Sequence, residues 1–464
     1  MKRRYWIAIA LVVAMIINLV FSILLIYNKA FSTFYKQYVN LPQKKVGVET
    51  EVVDQAYYEP RQLQLFQLVS PYQIILKQDN KFLHSYQSQV IKELTAFSQN
   101  PFFVLENNQP QIDPVRLGDI YDQDHVQLIF MNKLSLPLLK RFVAIPKDLE
   151  TQFQVNRIVI MRGQENKVYF VDSVNKSYLV GKMQKGLDRE AFFEAVDRGS
   201  QDRIEMTEYE VNRDTVYLPV DSLASLDQTY SLDKLPETYF IQPVFSGENF
   251  DITEPDLNNV RSYTTYHSSL MVDDDTNIMT VTQHNKQLNN LKKPSNDLYT
   301  QSDIIEKSIE MTGKFNYWTE DIRIYSQKNN QVTFRRFLAG LPIFSSPTMP
   351  DYGSSQLSFS QANSQLSLEK LQMPLLVLGI NISDLSSPHL IESGKEIEHI
   401  LKEQDLKFSK FNQIILGFEW QREMENFKKV KLVPKWFFVV GNQVYSIDQL
   451  KDGSLKVLLQ QRAN

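Results

Sequence analysis

Residues that could act as nucleophile and base stand close together at two places in this 464-residue chain. Ser173 with Lys176, and Ser367 with Lys370, match the Ser-x-x-Lys pattern of penicillin-interacting enzymes. In those enzymes the lysine lies one helical turn after the serine, whereas here the first pair falls in a predicted turn and the second beside a predicted strand. Neither pair is followed by Lys-Thr-Gly or Ser-Asp-Asn. The patterns therefore favour chance occurrence over a hydrolase.

The residues that could bind a metal form an incomplete set. Asp273, Asp275 and Asn277 resemble the start of a calcium-binding loop. However, Ile278 stands where that loop needs glycine, and His284 stands where it needs a bidentate glutamate. Cysteine is absent, which excludes thiolate ligands, disulfides and a cysteine nucleophile. We therefore expect no catalytic residue, no metal and no cofactor.

Aromatic clusters are the more prominent candidates for a binding surface. Trp318 follows Phe315 and Tyr317, and Trp436 precedes Phe437. Such clusters could form a protein- or carbohydrate-binding surface, with Trp318 and Trp436 as its contact residues. Packing in the core or at a strand edge is the favoured alternative.

The composition limits the classes of partner. Lys and Arg total 50 against 54 Asp and Glu, which gives a net charge of −4. This balance argues against nucleic acid as a partner, because phosphate binding needs a concentrated basic face. At 43% hydrophobic and 22% charged residues, the chain is globular and long enough for two or three domains.

The N-terminus predicts a membrane anchor. Three basic residues within positions 1–4 precede an almost continuous apolar run over residues 5–27. At about 1.5 Å per residue, such a helix crosses a hydrocarbon core of roughly 30 Å. The run is longer than a signal-peptide core of about 7–15 residues, so we expect an uncleaved, single-pass anchor. The basic tail favours a cytoplasmic N-terminus and an extracellular C-terminal ectodomain at the cell membrane.

The predicted transmembrane helix has one stripe of small and polar residues. Ala10, Ala14, Asn18 and Ser22 are spaced by four and therefore share one helix face. Small residues let two membrane helices approach closely, and an intramembrane Asn favours a hydrogen-bonded partner. The stripe is a candidate partner-binding face, with a plain anchor as the alternative.

Alternating and helical patterns predict an α+β fold, with a multi-domain ectodomain of antiparallel sheets and a few helices. We expect a stalk and N-terminal ectodomain over 28–200, a middle α+β domain over 201–295 and a C-terminal α+β domain over 296–464. Strands are predicted at Arg157–Met161, Lys167–Asp172, Tyr178–Lys182, Ser269–Val272, Ile278–Thr282, Ile322–Gln327, Val332–Leu338, Lys435–Val440, Gln443–Ile447 and Leu455–Gln460. Helices are predicted at Leu187–Val196, at Asp303–Met311 with Ser302 as its N-cap, and at Ile391–Glu403.

The segment Gly313–Phe344 resembles a known family. It runs Gly-Lys-Phe-Asn-Tyr-Trp-Thr-Glu-Asp from Gly313, and Phe-Arg-Arg-Phe-Leu-Ala-Gly-Leu-Pro-Ile-Phe from Phe334. This is similar to the YycH family, whose members have a Gly-x-Trp-Thr-Asp-like entry to a hairpin, followed by Phe-Arg-x-Phe-x-x-Gly-x-Pro-Val-Phe. Near the end of the chain, the motif Pro434-x-Trp436 resembles the sequence of the closing strands in the same family.

The resemblance implies a function that the residues alone do not show. YycH-like proteins are accessory regulators of the WalK–WalR two-component system of Gram-positive bacteria. The resemblance therefore implies an ectodomain without an enzyme site that binds a WalK-like sensor histidine kinase and a YycI-like membrane protein, and so affects cell-wall metabolism. An ectodomain that binds an envelope ligand, a wall polymer or lipid, without a kinase partner is the alternative.

Overall fold

The computed structural model describes residues 65–84, 103–107, 109–139, 143–145, 153–163, 166–183, 189–198, 203–253, 255, 259–284, 300–362, 365–382, 385–422 and 428–463. The predicted tail, transmembrane helix and stripe lie outside the described residues. Within the described part, no helix is both long and apolar enough to cross a membrane. The described residues belong to one unit, Tyr57–Asn464.

The first sheet is built from the N-terminal half of the described chain. Its strand order is β11-β10-β2-β1-β5-β7-β8-β9-β3-β6, with β4 also paired to β9. All neighbours are antiparallel except β3 and β6, which are parallel. Its strands are β1 (Gln73–Gln78), β2 (Lys81–His84), β3 (Phe103–Leu105), β4 (Gln111–Ile112), β5 (His125–Ser135), β6 (Val143–Ala144), β7 (Gln154–Met161), β8 (Lys167–Asp172), β9 (Ser177–Met183), β10 (Ile204–Val211) and β11 (Asp214–Pro219).

The second sheet has the order β14-β15-β16-β17-β22-β21-β19-β20-β25-β26-β13-β23, with β18 on β19 and β27 on β26. A separate pair joins β12 (Leu223–Leu226) to β24 (Pro388–Ile391). The strands of the second sheet are β13 (Gln228–Lys234), β14 (Asp251–Thr253), β15 (Val260–Thr264), β16 (Ser268–Asp273), β17 (Ile278–Gln283), β18 (Asp321–Lys328), β19 (Gln331–Leu338), β20 (Leu341–Ser345), β21 (Ser354–Ala362), β22 (Gln365–Pro374), β23 (Leu376–Asn381), β25 (Gln413–Arg422), β26 (Lys429–Val440) and β27 (Gln443–Ser446).

The described residues form few helices, of which the first precedes β1 and the others lie between strands or near the C-terminus. They are α1 (Leu65–Leu68), α2 (Pro114–Asp122), α3 (Arg189–Arg198), α4 (Thr238–Phe245), α5 (Gln301–Phe315), α6 (Gly394–Glu403), α7 (Ile447–Lys451) and α8 (Ser454–Ala463), with 3-10 turns at Leu136–Leu139 and Phe408–Lys410. Capping boxes begin α5 at Thr300 and α6 at Ser393. Their side chains accept backbone N–H groups that the first helical turn leaves unpaired.

The two sheets share apolar packing and direct hydrogen bonds. One core cluster includes Phe170 of β8, Phe240 of α4 and Phe334 of β19, all fully buried. The hydroxyl of Tyr72 accepts the backbone N–H of Leu416 at 2.7 Å and donates to its carbonyl at 3.3 Å. These contacts fix the N-terminal sheet against β25 of the second sheet.

The predicted α+β class is borne out for the described residues, which are mostly strand with few helices. The strands predicted over residues 157–182, 269–282 and 322–338, and the helix predicted at Leu187–Val196, are present within a few residues of the expected bounds. Of the described strands between residues 201 and 295, β10 and β11 belong to the first sheet and β13–β17 to the second, while the predicted domain bounds stay a prediction.

Three predicted elements were wrong in type or limit. The predicted strand Leu455–Gln460 is part of helix α8. The N-cap of α5 is Thr300 rather than Ser302, because Asp303 stands three residues after Thr300 and completes a capping box. The predicted helix at Ile391 begins at Gly394, since Ser393 caps it and Ile391 pairs with Leu223 in a strand.

Candidate functional site

A cleft of about 1350 Å3 opens between the two sheets. Its lining comes from the ends of β5 and β7, the β10–β11 turn, the β18–β19 hairpin, the segment after β20, and β25 to α8. This volume exceeds that of small-molecule sites, which are roughly 300–1,000 Å3, so the cleft has room for a larger ligand. The cleft is therefore the candidate functional site.

Arg335 of β19 forms one wall of the cleft. Its guanidinium donates to Asp351 at 2.7 Å and to the carbonyl oxygen of Ile343 at 2.6 Å. The guanidinium carbon lies 4.4 Å from the ring centroids of both Tyr325 and Phe344. These contacts hold the wall rigid, because a bidentate ion pair and two aromatic faces restrict the same side chain.

The opposite wall is held by a second arginine. Arg157 of β7 is buried and donates to Asp214 at 2.6 Å. Asn156 donates to the other oxygen of Asp214 at 3.1 Å and to the hydroxyl of Ser173 at 2.6 Å. The Asp214 carboxylate therefore ties the β10–β11 turn to the middle of the first sheet. Burial disfavours the charged guanidinium, but Asp214, together with Tyr121 and Tyr217, outweighs burial and raises the pKa of Arg157.

Behind this wall Arg157 belongs to a buried polar network. It donates to the amide oxygen of Gln127 at 3.1 Å, and the amide nitrogen of Gln127 donates to the hydroxyl of Tyr217 at 2.8 Å. The same amide lies 2.8 Å from Nε2 of His125, and Nδ1 of His125 lies 2.6 Å from the carbonyl of Gln123. A neutral His125 with its proton on Nδ1 satisfies both contacts.

Acid should destabilise the folded protein, because His125 is buried in its neutral form. Burial lowers the pKa of His125 from 6.5 to about 4. Below pH 6.5 the unfolded chain binds a proton that the folded chain excludes, so stability falls as the pH drops towards 4. Between pH 7 and pH 5 we expect a loss of about 2 kcal/mol from this group. Urea unfolding at both pH values measures it.

The control for this prediction is His125→Gln, because glutamine keeps a donor and an acceptor but does not titrate. Its loss of stability between pH 7 and pH 5 should be smaller than that of the wild type. An equal loss in both proteins would contradict the assignment to His125. His84, whose pKa burial also lowers to about 4, accounts for a separate part of the acid dependence.

Glu419, which lines the cleft, pairs with a buried lysine that also pairs with a second carboxylate. Lys435 of β26 lies 2.6 Å from Glu419 of β25 and also pairs with Asp448 of α7. Burial disfavours the ammonium, but the two carboxylates outweigh it and raise the pKa of Lys435. This cation therefore stays charged and fixes α7 to the sheet.

The segment Gly313–Phe344 builds the core beside the cleft. Arg336 is fully buried and binds Glu320 through two bonds of 2.7 and 3.1 Å. The guanidinium carbon lies 4.8 Å from the ring of Trp318 and 5.2 Å from that of Trp420. Arg335 therefore faces the cleft, while its neighbour Arg336 lies on the other face of the strand, in the core.

The two tryptophans considered as contact residues are buried. Trp318 and Trp436 each have 1% of their surface exposed. The indole N–H of Trp318 donates to the carbonyl of Pro374 at 3.4 Å, and that of Trp436 donates to the carbonyl of Glu392 at 2.8 Å. Both rings therefore pack in the core, as the favoured alternative predicted, and neither lines the cleft.

The other sequence candidates that the structure describes lie in turns and strands. Ser173 begins the turn between β8 and β9, and Ser367 lies in β22. Asp273 accepts the backbone N–H groups of Asp275 and Thr276 at 2.9 and 3.0 Å, and so closes the β16–β17 turn. Among the residues that the structure describes, no cluster of His, Asp and Glu could hold a metal ion. The stripe Ala10, Ala14, Asn18 and Ser22 lies outside the described residues.

Sequence reasoning missed the cleft itself. Arg335 and Phe344 are within the family-like segment, but nothing in the pattern separates the arginine facing the cleft from the one in the core. A clearer signal was Asn156-Arg157 inside the apolar strand Gln154–Met161. Such a polar pair in a buried strand needs a partner, and that partner is Asp214.

The described residues define a sheet-rich α+β protein with a large cleft, whose charged lining residues are largely held in ion pairs. The family model for the C-terminal domain of YycH matches residues 213–453. The crystal structure of YycH from Bacillus subtilis is similar, with a TM-score of 0.66 and 17% identity, over 84% of this chain and 98% of that chain. No curated protein matches the chain. The chain belongs to the YycH family, a family of regulatory accessory proteins of the WalK system that is not known for enzymes.

Proposed function

We propose that this chain is a membrane-anchored regulator of a WalK-like sensor histidine kinase. The observation that carries the proposal is the family match over residues 213–453. In this proposal the N-terminus is cytoplasmic, residues 5–27 span the cell membrane once, and the ectodomain is extracellular. The chain acts together with a YycI-like membrane protein and thereby affects cell-wall metabolism.

The stripe Ala10, Ala14, Asn18 and Ser22 is the proposed contact with the partner helices. Small side chains let two backbones approach, and Asn18 can donate a hydrogen bond across the contact. The ectodomain is proposed to act as one rigid body. Its two sheets are joined by hydrogen bonds of Tyr72 with Leu416 and of Arg323 with the carbonyl of Pro71.

Replacing Ala10, Ala14 and Asn18 together by leucine should lower recovery of the kinase and the YycI-like protein about tenfold, since interhelical contacts of this kind contribute roughly 1–2 kcal/mol. The measurement is co-purification of a tagged full chain from gently solubilised membranes, followed by kinase autophosphorylation in the recovered complex.

The matched control replaces Val12, Ile16 and Val20 by leucine, which changes other faces of the same helix. This control should recover both partners at the wild-type level. Unchanged recovery with the stripe variant would contradict the proposed contact. Recovery of neither partner with the wild-type chain, despite confirmed expression, would contradict the proposed regulation itself.

The second candidate function is binding of an envelope ligand without a kinase partner. The specific observation in its favour is the cleft of about 1350 Å3 between the sheets. It predicts that the purified full chain binds a wall polymer or lipid component in the absence of any other protein. A chain that recovers the kinase and shows no such binding would favour the first candidate.

A further inference from the structure

We propose that the cleft binds an uncharged, hydroxyl-rich chain of the oligosaccharide class. The proposal rests on the second candidate function above, for which it names a site and a ligand chemistry. It does not require the kinase or the transmembrane stripe.

Side-chain amides are frequent in the lining of the cleft. Asn and Gln make up twelve of the thirty-six lining residues. Each amide offers a carbonyl acceptor and two N–H donors, which suits sugar hydroxyls because these also donate and accept. Gln413 donates to the carbonyl of Met131 at 2.7 Å, and Gln331 donates to Gln356 at 3.0 Å. These bonds align the amides and use only part of their hydrogen-bonding capacity.

The charges in the lining favour an uncharged ligand. Most are already paired within the protein, so little net charge is directed into the cleft. The pairs are Arg335–Asp351, Asp214–Arg157, Lys133–Asp172 and Glu419–Lys435. Two further cations, Arg213 and Lys328, are exposed on turns at the rim, where solvent and salt screen them.

The polar lining continues onto an open sheet face. Four polar residues pair across neighbouring strands and form a row over the sheet. In order, they are Thr333 of β19, Gln356 of β21, Gln372 of β22 and Thr280 of β17. Neighbouring strands are about 4.8 Å apart, which is similar to the length of one sugar unit. A ligand chain in the cleft could therefore extend across the strands and meet a hydroxyl or amide at each step.

The same face is less suited to a protein partner. Protein interfaces are anchored by exposed aromatic and arginine side chains in their centre. Here Phe344 and Phe437 are only 3% and 2% exposed, and Arg335 is 4% exposed and paired with Asp351. Tyr325 is half-buried, and its ring packs against Arg335 and Phe344, so it is not an exposed anchor for a protein partner either.

The test is isothermal titration of the full chain, in detergent, with the N-acetylglucosamine tetramer. The wild-type chain should bind it. The double variant Gln331→Ala and Gln356→Ala should bind about tenfold more weakly, because two hydrogen-bonding side chains are lost. Both positions are exposed, so the variant should keep its tryptophan emission and urea midpoint.

The matched control is Gln111→Ala, an exposed glutamine on β4 of the first sheet, away from the cleft lining. It should bind the tetramer like the wild type. Three outcomes would overturn the proposal: no binding by the wild type, equal binding by the double variant, or binding of polyglutamate or polyphosphate in preference to the sugar. Because co-purification of the kinase is a separate measurement, loss of sugar binding with full kinase recovery leaves the regulatory function intact.

Discussion

Replacing Arg336 by methionine should lower the free energy of unfolding by about 3–5 kcal/mol. The change removes the cation from the Glu320 carboxylate, of which only 3% of the side chain is exposed. It also removes the donor to the carbonyl oxygens of Tyr352 and Leu376, both at 3.1 Å. A buried charge that loses its counterion keeps its full desolvation penalty, which explains the size of the effect.

Urea unfolding followed by tryptophan emission measures this loss. Three of the four tryptophans, Trp318, Trp420 and Trp436, are buried in this part of the chain, so the emission reports on the core around Arg336. The matched control is Arg116→Met, because Arg116 and Asp119 form an exposed pair at 3.8 Å. Exposed pairs contribute roughly 0–1 kcal/mol, so the control should barely shift the midpoint.

A second variant separates the lost charge pair from the lost packing. Arg336→Met combined with Glu320→Leu should be more stable than Arg336→Met alone, since apolar replacement of a whole buried pair is often neutral or stabilising. A loss below about 1 kcal/mol in the single variant, or additive losses in the double variant, would contradict the role assigned to the pair.

Local patterns predicted much of the secondary structure, because each depends on neighbouring residues. Strands β7, β8 and β9 are apolar or alternate between apolar and polar residues, and polar turns separate them. The β18–β19 hairpin turns at Asn329, whose φ is +52°. Helix α8 was mistaken for a strand because its apolar residues follow no clear helical stripe: Val457 is 53% exposed and Leu458 is 36% exposed. Gly453, with a φ of +79°, separates it from α7.

Long-range pairing was not predictable from the same patterns. β20 pairs in parallel with β25, about seventy residues later, and β13 pairs with both β26 and β23. No local spacing predicts these neighbours, and the cleft is lined by segments that are far apart in the sequence and that only the long-range fold brings together. The family-like segment did locate Arg335 and Arg336, but their opposite roles follow from the alternation of strand faces and from which sheet covers each face.

Replacing Arg157 by methionine should also lower the free energy of unfolding by about 3–5 kcal/mol. Unlike the Arg336 variant, it should in addition loosen one hairpin locally. The side chain of Asp214 is only 12% exposed and would lose its cation. Gln127 would lose a donor at 3.1 Å, and the carbonyl of Thr215 would lose another. Because Asp214 anchors the β10–β11 hairpin, hydrogen exchange should rise most over residues 204–219.

The matched control for Arg157 is Lys182→Met in β9 of the same sheet. Lys182 and Glu106 pair at 3.2 Å with 53% and 40% of their side chains exposed, so the free energy of unfolding should change by less than about 1 kcal/mol. If Arg157→Met left exchange over residues 204–219 unchanged, the Asp214 pair would not hold the hairpin. If it accelerated exchange there and also weakened binding of the sugar tetramer, the hairpin would be shown to shape the wall of the cleft. In that event one buried charge links the stability of the first sheet to the geometry of the site.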